Sequence, residues 1–197
     1  MENEVKEPAP KYNYISPEQY LEMERASEVK HEYYQGEVFA MSGASIPQNY
    51  VFHNVYGSLV ISLKGKNCKP FGSDLRIHIP ENGLYTYPDI TIICGKPETT
   101  DNFEDSVTNP SVIIEILSKS TQDYDRGTKF ALYRSIKSLK EYILVNSRAV
   151  SVEHNTRQPD NSWVLTEFKQ LSDSFIISSI GLTLHLKDIY EDVTFEE

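Results

Sequence analysis

The chain has 197 residues, of which 39% are hydrophobic and 24% charged, a composition typical of a globular protein with a full hydrophobic core. Its formal net charge of -10 argues against a protein that coats nucleic acid through clustered Lys and Arg, but it leaves room for an enzyme with a local basic cleft. No apolar run approaches the ~20 residues of a membrane helix, residues 1–13 lack a secretory pattern, and Cys68 and Cys94 have neither a metal-binding nor a redox spacing. We therefore predict a cytoplasmic protein without a membrane partner, with a flexible tail over 1–13 and one domain over 14–197.

The first elements predicted along the chain are a helix and a hairpin. Ser16 can cap a helix over 17–26, because Gln19 lies three residues later and completes a capping box. The segment 31–41, "HEYYQGEVFAM", then predicts a β-hairpin that turns at Gln35-Gly36.

A second helix and three strands are predicted next. The helix covers 47–63, where apolar residues at three- and four-residue spacings form one stripe. The stripe contains Phe52, Val55, Tyr56, Leu59, Val60 and Leu63. Strands are predicted over 69–79, 84–94 and 111–118, and the last of these, rich in β-branched residues, indicates a buried strand.

The rest of the chain predicts a third helix followed by further strands. The helix covers 123–138, and its inward face carries Phe130, Leu132, Tyr133, Ile136 and Leu139. Strands are predicted over 141–147, 150–154, 162–168 and 175–177, with a closing segment that runs to Tyr190. This order predicts an α+β fold with a central mixed β-sheet flanked by helices and additional N- and C-terminal strands.

Two acidic residues interrupt the predicted core strands. Asp89 lies in "YTYPDITIICG", and Glu115 lies in "VIIEIL", the most apolar run of the chain. A lone ionised carboxylate there is destabilising unless it is paired or bound to a cation. If the two strands are neighbours, the acids face each other with Cβ atoms about 5 Å apart. Two carboxylates and a backbone carbonyl suit Mg²⁺ or Mn²⁺. Taken singly, Asp89 also fits a proline-linked turn, and Glu115 a partner of a core Arg or Lys.

Lys129 and Glu32 are further candidates. Lys129 precedes Leu132 and Tyr133 by three and four residues, so it lies on or beside the inward face of the third predicted helix and can reach the sheet edge. The alternative is a helical ion pair with Asp125, four residues before it. Glu32 fits either a solvated hairpin residue or a further acid that closes over the site.

Seven segments in this order resemble the Uma-type family of restriction-endonuclease-like proteins, which belongs to the PD-(D/E)XK nuclease superfamily. The resemblance runs from about Ser16 to Ile189. It is carried by "HEYYQGEVFAM", "HNVYGSL", "GSDLRIHI", "YTYPDITII", "VIIEILSKST", "DRGTKFALYR" and "EYILVN". It implies a restriction endonuclease-like core.

By this resemblance, Asp89 matches the first metal-binding acid and Glu115 the second. The superfamily has a lysine two residues after the second acid, where this chain has Leu117, so the motif is broken. Lys119 shares the strand face of Glu115 but lies ~13 Å along it at ~3.3 Å per residue. The family pattern instead implies that Lys129 supplies the amine, and the choice between Lys119 and Lys129 stays open here.

The resemblance implies Mg²⁺- or Mn²⁺-dependent hydrolysis of DNA phosphodiester bonds. Asp89, Glu115 and the carbonyl of Ile116 would be the metal ligands, and Glu32 would match an upstream acid. The acidic net charge and the displaced lysine motivate an alternative, a catalytically silent nuclease-fold module for binding or regulation. A small-molecule hydrolase built on the same carboxylates is a third alternative. DNA is the expected partner, and a homodimer is compatible with each reading.

Overall fold

The computed structural model describes residues 14–195 of the chain, in which runs of strands lie between the helices; the predicted tail over 1–13 lies outside it. The helices are α1 (Pro17–Ala26), α2 (Ile46–Ser62), α3 (Gln122–Tyr124), α4 (Phe130–Tyr133) and α5 (Leu186–Ile189), and a π-helical turn (Asp125–Lys129) joins α3 to α4. The strands are β1 (His31–Tyr34), β2 (Glu37–Ala40), β3 (Cys68–Gly72), β4 (Arg76–Ile79), β5 (Leu84–Thr86), β6 (Ile90–Cys94), β7 (Ser106–Val107), β8 (Val112–Leu117), β9 (Glu141–Asn146), β10 (Val152–Arg157), β11 (Trp163–Phe168), β12 (Ser174–Ile177) and β13 (Leu182–His185).

The strands form two mixed sheets and one hairpin. The six-stranded sheet has the order β11-β10-β9-β8-β6-β3, in which only β8 and β9 run parallel. The five-stranded sheet has the order β2-β1-β5-β4-β7, with a parallel pair at β4-β7. Strands β12 and β13 form the hairpin. The predicted α+β class with a central mixed sheet is confirmed.

The helix cap and the hairpin turn predicted near the N-terminal end are both present. Ser16 caps α1, and its capping box with Gln19 is complete. The hairpin of β1 and β2 turns at Gln35 and Gly36, whose φ angles of 49° and 89° are the positive values that a two-residue type I′ turn requires. Both predictions are confirmed.

Three predicted elements are interrupted or shorter than expected. The segment 69–79 is divided between β3 and β4, and 84–94 between β5 and β6, because the chain passes from one sheet to the other in each case. Pro88 accounts for the second break, since proline cannot donate a ladder hydrogen bond. The third predicted helix ends at Tyr133 rather than at residue 138, although Ile136 and Leu139 are buried as expected.

The apolar stripe of α2 is rotated relative to the prediction. Its fully buried positions are Val51, Val55 and Leu59, at a strict four-residue spacing. The prediction omitted Val51 and wrongly included Val60, which is 45% exposed. The helix is apolar nearly all round, so sequence spacing alone could not tell which stripe faces the sheet. Among the described residues no helix, α2 included, is long and apolar enough to cross a membrane.

Strand β8 separates two hydrophobic cores, and all six of its residues are buried. Its even-numbered residues Val112, Ile114 and Ile116 join a core with α2, α5 and the β12-β13 hairpin. Odd-numbered neighbours such as Ile113 join a second core with β4 and Tyr133. Because side chains alternate along a strand, Glu115 projects to the side of this second core.

The two cysteines are joined, which the spacing along the sequence did not indicate. Cys68 lies directly opposite Cys94 in the antiparallel pair of β3 and β6, and the two form a disulfide. Only the strand register brings them together.

Candidate active site

Asp89 and Glu115 meet where β6 begins. The last matched pair there is Ile90 with Ile114, so one step further along the antiparallel register brings Asp89 opposite Glu115. The Asp89 N–H donates to Glu115 Oε2 at 3.2 Å, and the Ile116 N–H donates to Asp89 Oδ2 at 2.7 Å. The expected proximity is present, but Asp89 lies just before the strand rather than within it. Asp89 therefore lies in the bend after Pro88 and beside Glu115.

Both acids are held where ionisation is unfavourable. Burial raises the pKa of Glu115 to about 8, a rise that Lys129 opposes and Asp89 reinforces. Burial also raises the pKa of Asp89, against the stabilising hydrogen bond from the Ile116 N–H. Two adjacent carboxylates of this kind favour a nearby positive charge, because each opposes the ionisation of the other.

Lys129 supplies one such charge from the π-helical turn. Its Nζ lies 3.0 Å from Glu115 Oε1, 3.1 Å from Glu32 Oε1 and 3.7 Å from Asp125 Oδ1. Burial alone would lower the pKa of Lys129, but these carboxylates raise it well above its usual value, so the amine stays protonated. The helical pair with Asp125 and the reach to the sheet therefore coexist, and the contacts to the sheet are the shorter ones.

Glu32 comes to the same place through strand pairing. Strand β1 lies beside β5 with Tyr33 opposite Tyr85, and the Thr86 hydroxyl donates to Glu32 Oε1. Glu32 is 9% exposed and contacts Lys129, so the interpretation as a solvated hairpin residue is wrong. The pairing of β1 with β5 could not be read from the sequence of either strand alone.

Sequence reasoning missed Tyr133 as a polar member of the cluster. It was expected as an apolar inward residue, yet its hydroxyl donates to Glu115 Oε1 at 2.8 Å. A buried tyrosine hydroxyl usually needs a partner, and this rule could have suggested Tyr133. Asp125 was considered only as a helical ion-pair partner, whereas it also lines the site.

A cavity of about 230 Å³ opens above the cluster. Its charged lining is formed by Glu32, Asp89, Glu115, Asp125 and Lys129, while residues 39–44 and Gln48 form another part of its wall.

Lys119 follows β8 in an exposed turn and does not line this cavity, and Leu117 is buried in the core. Of the two lysines considered, the structure thus brings Lys129 to the acids.

The oxygen atoms around Asp89 and Glu115 fit a hard divalent cation in type. Leu117 O accepts a hydrogen bond from Ser147 N–H, so the carbonyl of Leu117 points towards β9. Backbone groups of successive residues point to opposite sides of a strand, so the N–H and carbonyl of Ile116 point towards β6. The pairing of β6 with β8 ends at Ile90 and Ile114, so no residue of β6 lies opposite Ile116. Within residues 14–195 the Ile116 carbonyl accordingly has only a 3.5 Å contact with Gln48 Nε2. Asp89 Oδ1 accepts no hydrogen bond from residues 14–195.

The same part of the chain contains no group of three or more His, Cys, Asp or Glu side chains arranged to hold a metal ion. A cation at Asp89 and Glu115 would therefore need the Ile116 oxygen and water to complete its coordination, which is usual for Mg²⁺.

Comparisons with known proteins give consistent results. Residues 17–187 match the Uma2 family, described as "Putative restriction endonuclease". The uncharacterized protein sll1609 of Synechocystis sp. is 37% identical over 153 residues, which cover 78% of this chain and 86% of that protein. The uncharacterized protein slr1290 of the same organism is 33% identical over 188 residues, covering 95% and 97%.

A solved structure has a similar fold. The crystal structure of "a putative nuclease belonging to DUF820" from Anabaena variabilis superimposes with a TM-score of 0.69, at 18% identity, over 85% of this chain and 93% of that one. The sequence match over 17–187 covers most of the chain. The chain belongs to the Uma2 family, the family described as "Putative restriction endonuclease".

Proposed function

We propose that this protein is a Mg²⁺-dependent nuclease that hydrolyses phosphodiester bonds of DNA. The observation that carries the proposal is the meeting of the half-buried carboxylate of Asp89 and the buried carboxylate of Glu115 with the buried ammonium of Lys129, 3.0 Å from Glu115, at an open cavity. Membership of the family described as "Putative restriction endonuclease" supports the choice of a phosphodiester substrate.

Asp89, Glu115 and the carbonyl of Ile116 are the groups that would hold Mg²⁺ or Mn²⁺. When bound, such an ion supplies Lewis-acid stabilisation of a phosphoryl group and lowers the pKa of water. The protein's part is to fix these oxygens. The N–H of Asp89 and the hydroxyl of Tyr133 orient Glu115, and the N–H of Ile116 orients Asp89.

Lys129 acts as a charged donor in this proposal and not as a general base. The surrounding carboxylates raise its pKa against the opposing effect of burial, so the amine has no free electron pair near neutral pH. Glu32 and Asp125 hold the ammonium beside Glu115. From there it can donate to an oxygen on which negative charge develops, an effect whose loss costs about 10²–10³-fold in rate when one such donor is removed.

Cleavage assays with matched variants test the proposal. We expect Asp89→Asn and Lys129→Gln to reduce Mg²⁺-dependent cleavage of plasmid DNA by at least about 100-fold. The controls are Asp160→Asn, in the turn between β10 and β11, and Lys169→Gln, an exposed lysine paired with Glu167. Circular dichroism checks the fold of each variant. Undiminished Mg²⁺-dependent cleavage by both site variants would contradict the proposal.

A catalytically silent module for binding or regulation is the second candidate. The observation that favours it is the apolar Leu117 at the position where the superfamily has its lysine, with Lys129 engaged by three carboxylates instead. Binding of DNA by the wild-type protein, without cleavage and without heat of Mg²⁺ binding at millimolar concentration, would favour this candidate over the nuclease.

A further inference from the structure

A second cavity, of about 370 Å³, adjoins the first one. The two cavities share Gln48, Ser118 and Ser120 in their walls, so the turn after β8 separates them. The charged groups that line the second cavity are Lys119 and Arg148, and among residues 14–195 no carboxylate lines it. An acid-rich cavity and a basic cavity therefore lie side by side in a chain of net charge -10.

Strand pairing explains why the two cations are neighbours. Strands β8 and β9 run parallel, and their last matched pair is Leu117 with Asn146. Lys119 and Arg148 each lie two residues after this pair, so both lie just beyond the carboxyl ends of the two strands. Two hydrogen bonds hold the segments that follow these strands: Ser147 Oγ donates to Leu117 O at 2.8 Å, and the Arg148 N–H donates to Asn146 Oδ1 at 2.8 Å.

Neither cation is neutralised by the described part of the chain. Lys119 and Arg148 form no ion pair with residues 14–195, whereas Arg126 and Lys129 nearby both do. Two adjacent positive charges repel each other, and a bound anion removes that repulsion. Lys offers a point charge and Arg a planar fork, a combination suited to phosphate oxygens.

We propose that Lys119 and Arg148 bind a backbone phosphate of the DNA strand close to the bond that is cleaved. This inference rests on the proposed nuclease function and adds the path of the strand, from the first cavity across Ser118–Ser120 into the second. Lys119 is the fourth residue after Glu115, so their Cα atoms lie at most about 14 Å apart. This reach corresponds to a phosphate that is a near neighbour of the scissile one on the same strand.

Binding measurements without turnover test the assignment. Fluorescence anisotropy of a labelled DNA duplex, in EDTA and at 50 to 200 mM salt, compares the wild-type protein with the double variant Lys119→Gln/Arg148→Gln. The control is Lys64→Gln/Lys66→Gln, which removes two exposed lysines that line neither cavity. We expect the site variant to bind at least about fivefold more weakly, with a log-log salt slope about 0.9 smaller in magnitude because one phosphate contact is lost, and the control to bind like the wild type.

The outcomes separate this inference from the nuclease proposal. If the wild type cleaves DNA but the affinity, KM and salt slope of the double variant are unchanged, the phosphate assignment is wrong and the nuclease proposal stands. If no cleavage occurs but the double variant loses affinity and slope, the assignment stands and the nuclease proposal fails. Absence of DNA binding by the wild type at 50 mM salt overturns the assignment.

Discussion

Replacement of Lys129 tests how the buried charge cluster contributes to stability. Lys129→Met keeps most of the aliphatic stem but removes the ammonium, whose Nζ lies 3.0 and 3.1 Å from Glu115 and Glu32. Removing one partner of a buried ion pair typically costs about 3–5 kcal/mol. The carboxylates left behind can take up a proton, which offsets part of that cost. We therefore expect the free energy of unfolding to fall by about 3 kcal/mol, a large share of the ~5–15 kcal/mol of a typical domain.

The matched control is Arg126→Met in the same π-helical turn. Arg126 pairs with Glu153 at 2.8 Å, but its side chain is 33% exposed, against 6% for Lys129. A pair near the surface is worth about 0–1 kcal/mol. In urea, with a slope of about 2 kcal/mol/M, the midpoint of Lys129→Met should fall by about 1.5 M and that of Arg126→Met by no more than about 0.5 M. Equal midpoints for the two variants would show that the buried ammonium of Lys129 stabilises the fold no more than the partly exposed Arg126 does, whereas failure of Lys129→Met to fold would show a larger contribution.

Three further predictions concern other parts of the molecule. Burial lowers the pKa of His78 to about 4, so the unfolded state binds more protons between pH 4 and 6.5. The contribution of His78 to stability then rises with pH across that window, by no more than about 1 kcal/mol because His78 is partly solvated, and the difference in unfolding free energy between the wild type and His78→Phe should show this rise in pH-dependent urea titrations. Tyr133→Phe removes a 2.8 Å donor to Glu115 and should lower the unfolding free energy by about 1–2 kcal/mol in the same assay; a shift under about 0.3 kcal/mol would contradict it. Val51→Ala should cost about 1–2 kcal/mol and Val60→Ala under about 0.5 kcal/mol in thermal unfolding, because only Val51 is buried, and the reverse order would contradict the observed orientation of α2.

The meeting of Asp89 with Glu115 was accessible to sequence reasoning. A carboxylate inside a run as apolar as "VIIEIL" must have a partner, and side-chain alternation limits where that partner lies. The identity of α1 and the β1-β2 hairpin followed from short-range signals, namely a capping box and a two-residue turn at Gln35-Gly36. These are the features that a few neighbouring residues determine.

Features that depend on long-range pairing were not accessible in the same way. Glu32 reaches the site because β1 lies beside β5, and no local pattern encodes that neighbour. Lys129 faces the acids from a π-helical turn, where five residues rather than four separate the bonded groups, so a period of 3.6 gives its direction only approximately. The disulfide of Cys68 and Cys94 likewise depends on the register of β3 against β6.

The proposed nuclease requires that Asp89, Glu115 and Ile116 form a divalent-cation site at the point of DNA cleavage. Anomalous diffraction from crystals soaked in Mn²⁺ measures this directly. We expect one strong peak in the first cavity, about 2.1 Å from a carboxylate oxygen of Asp89, one of Glu115 and the main-chain oxygen of Ile116, and its loss in Asp89→Asn crystals. An empty site at saturating Mn²⁺, or a peak that persists unchanged in Asp89→Asn, would contradict it.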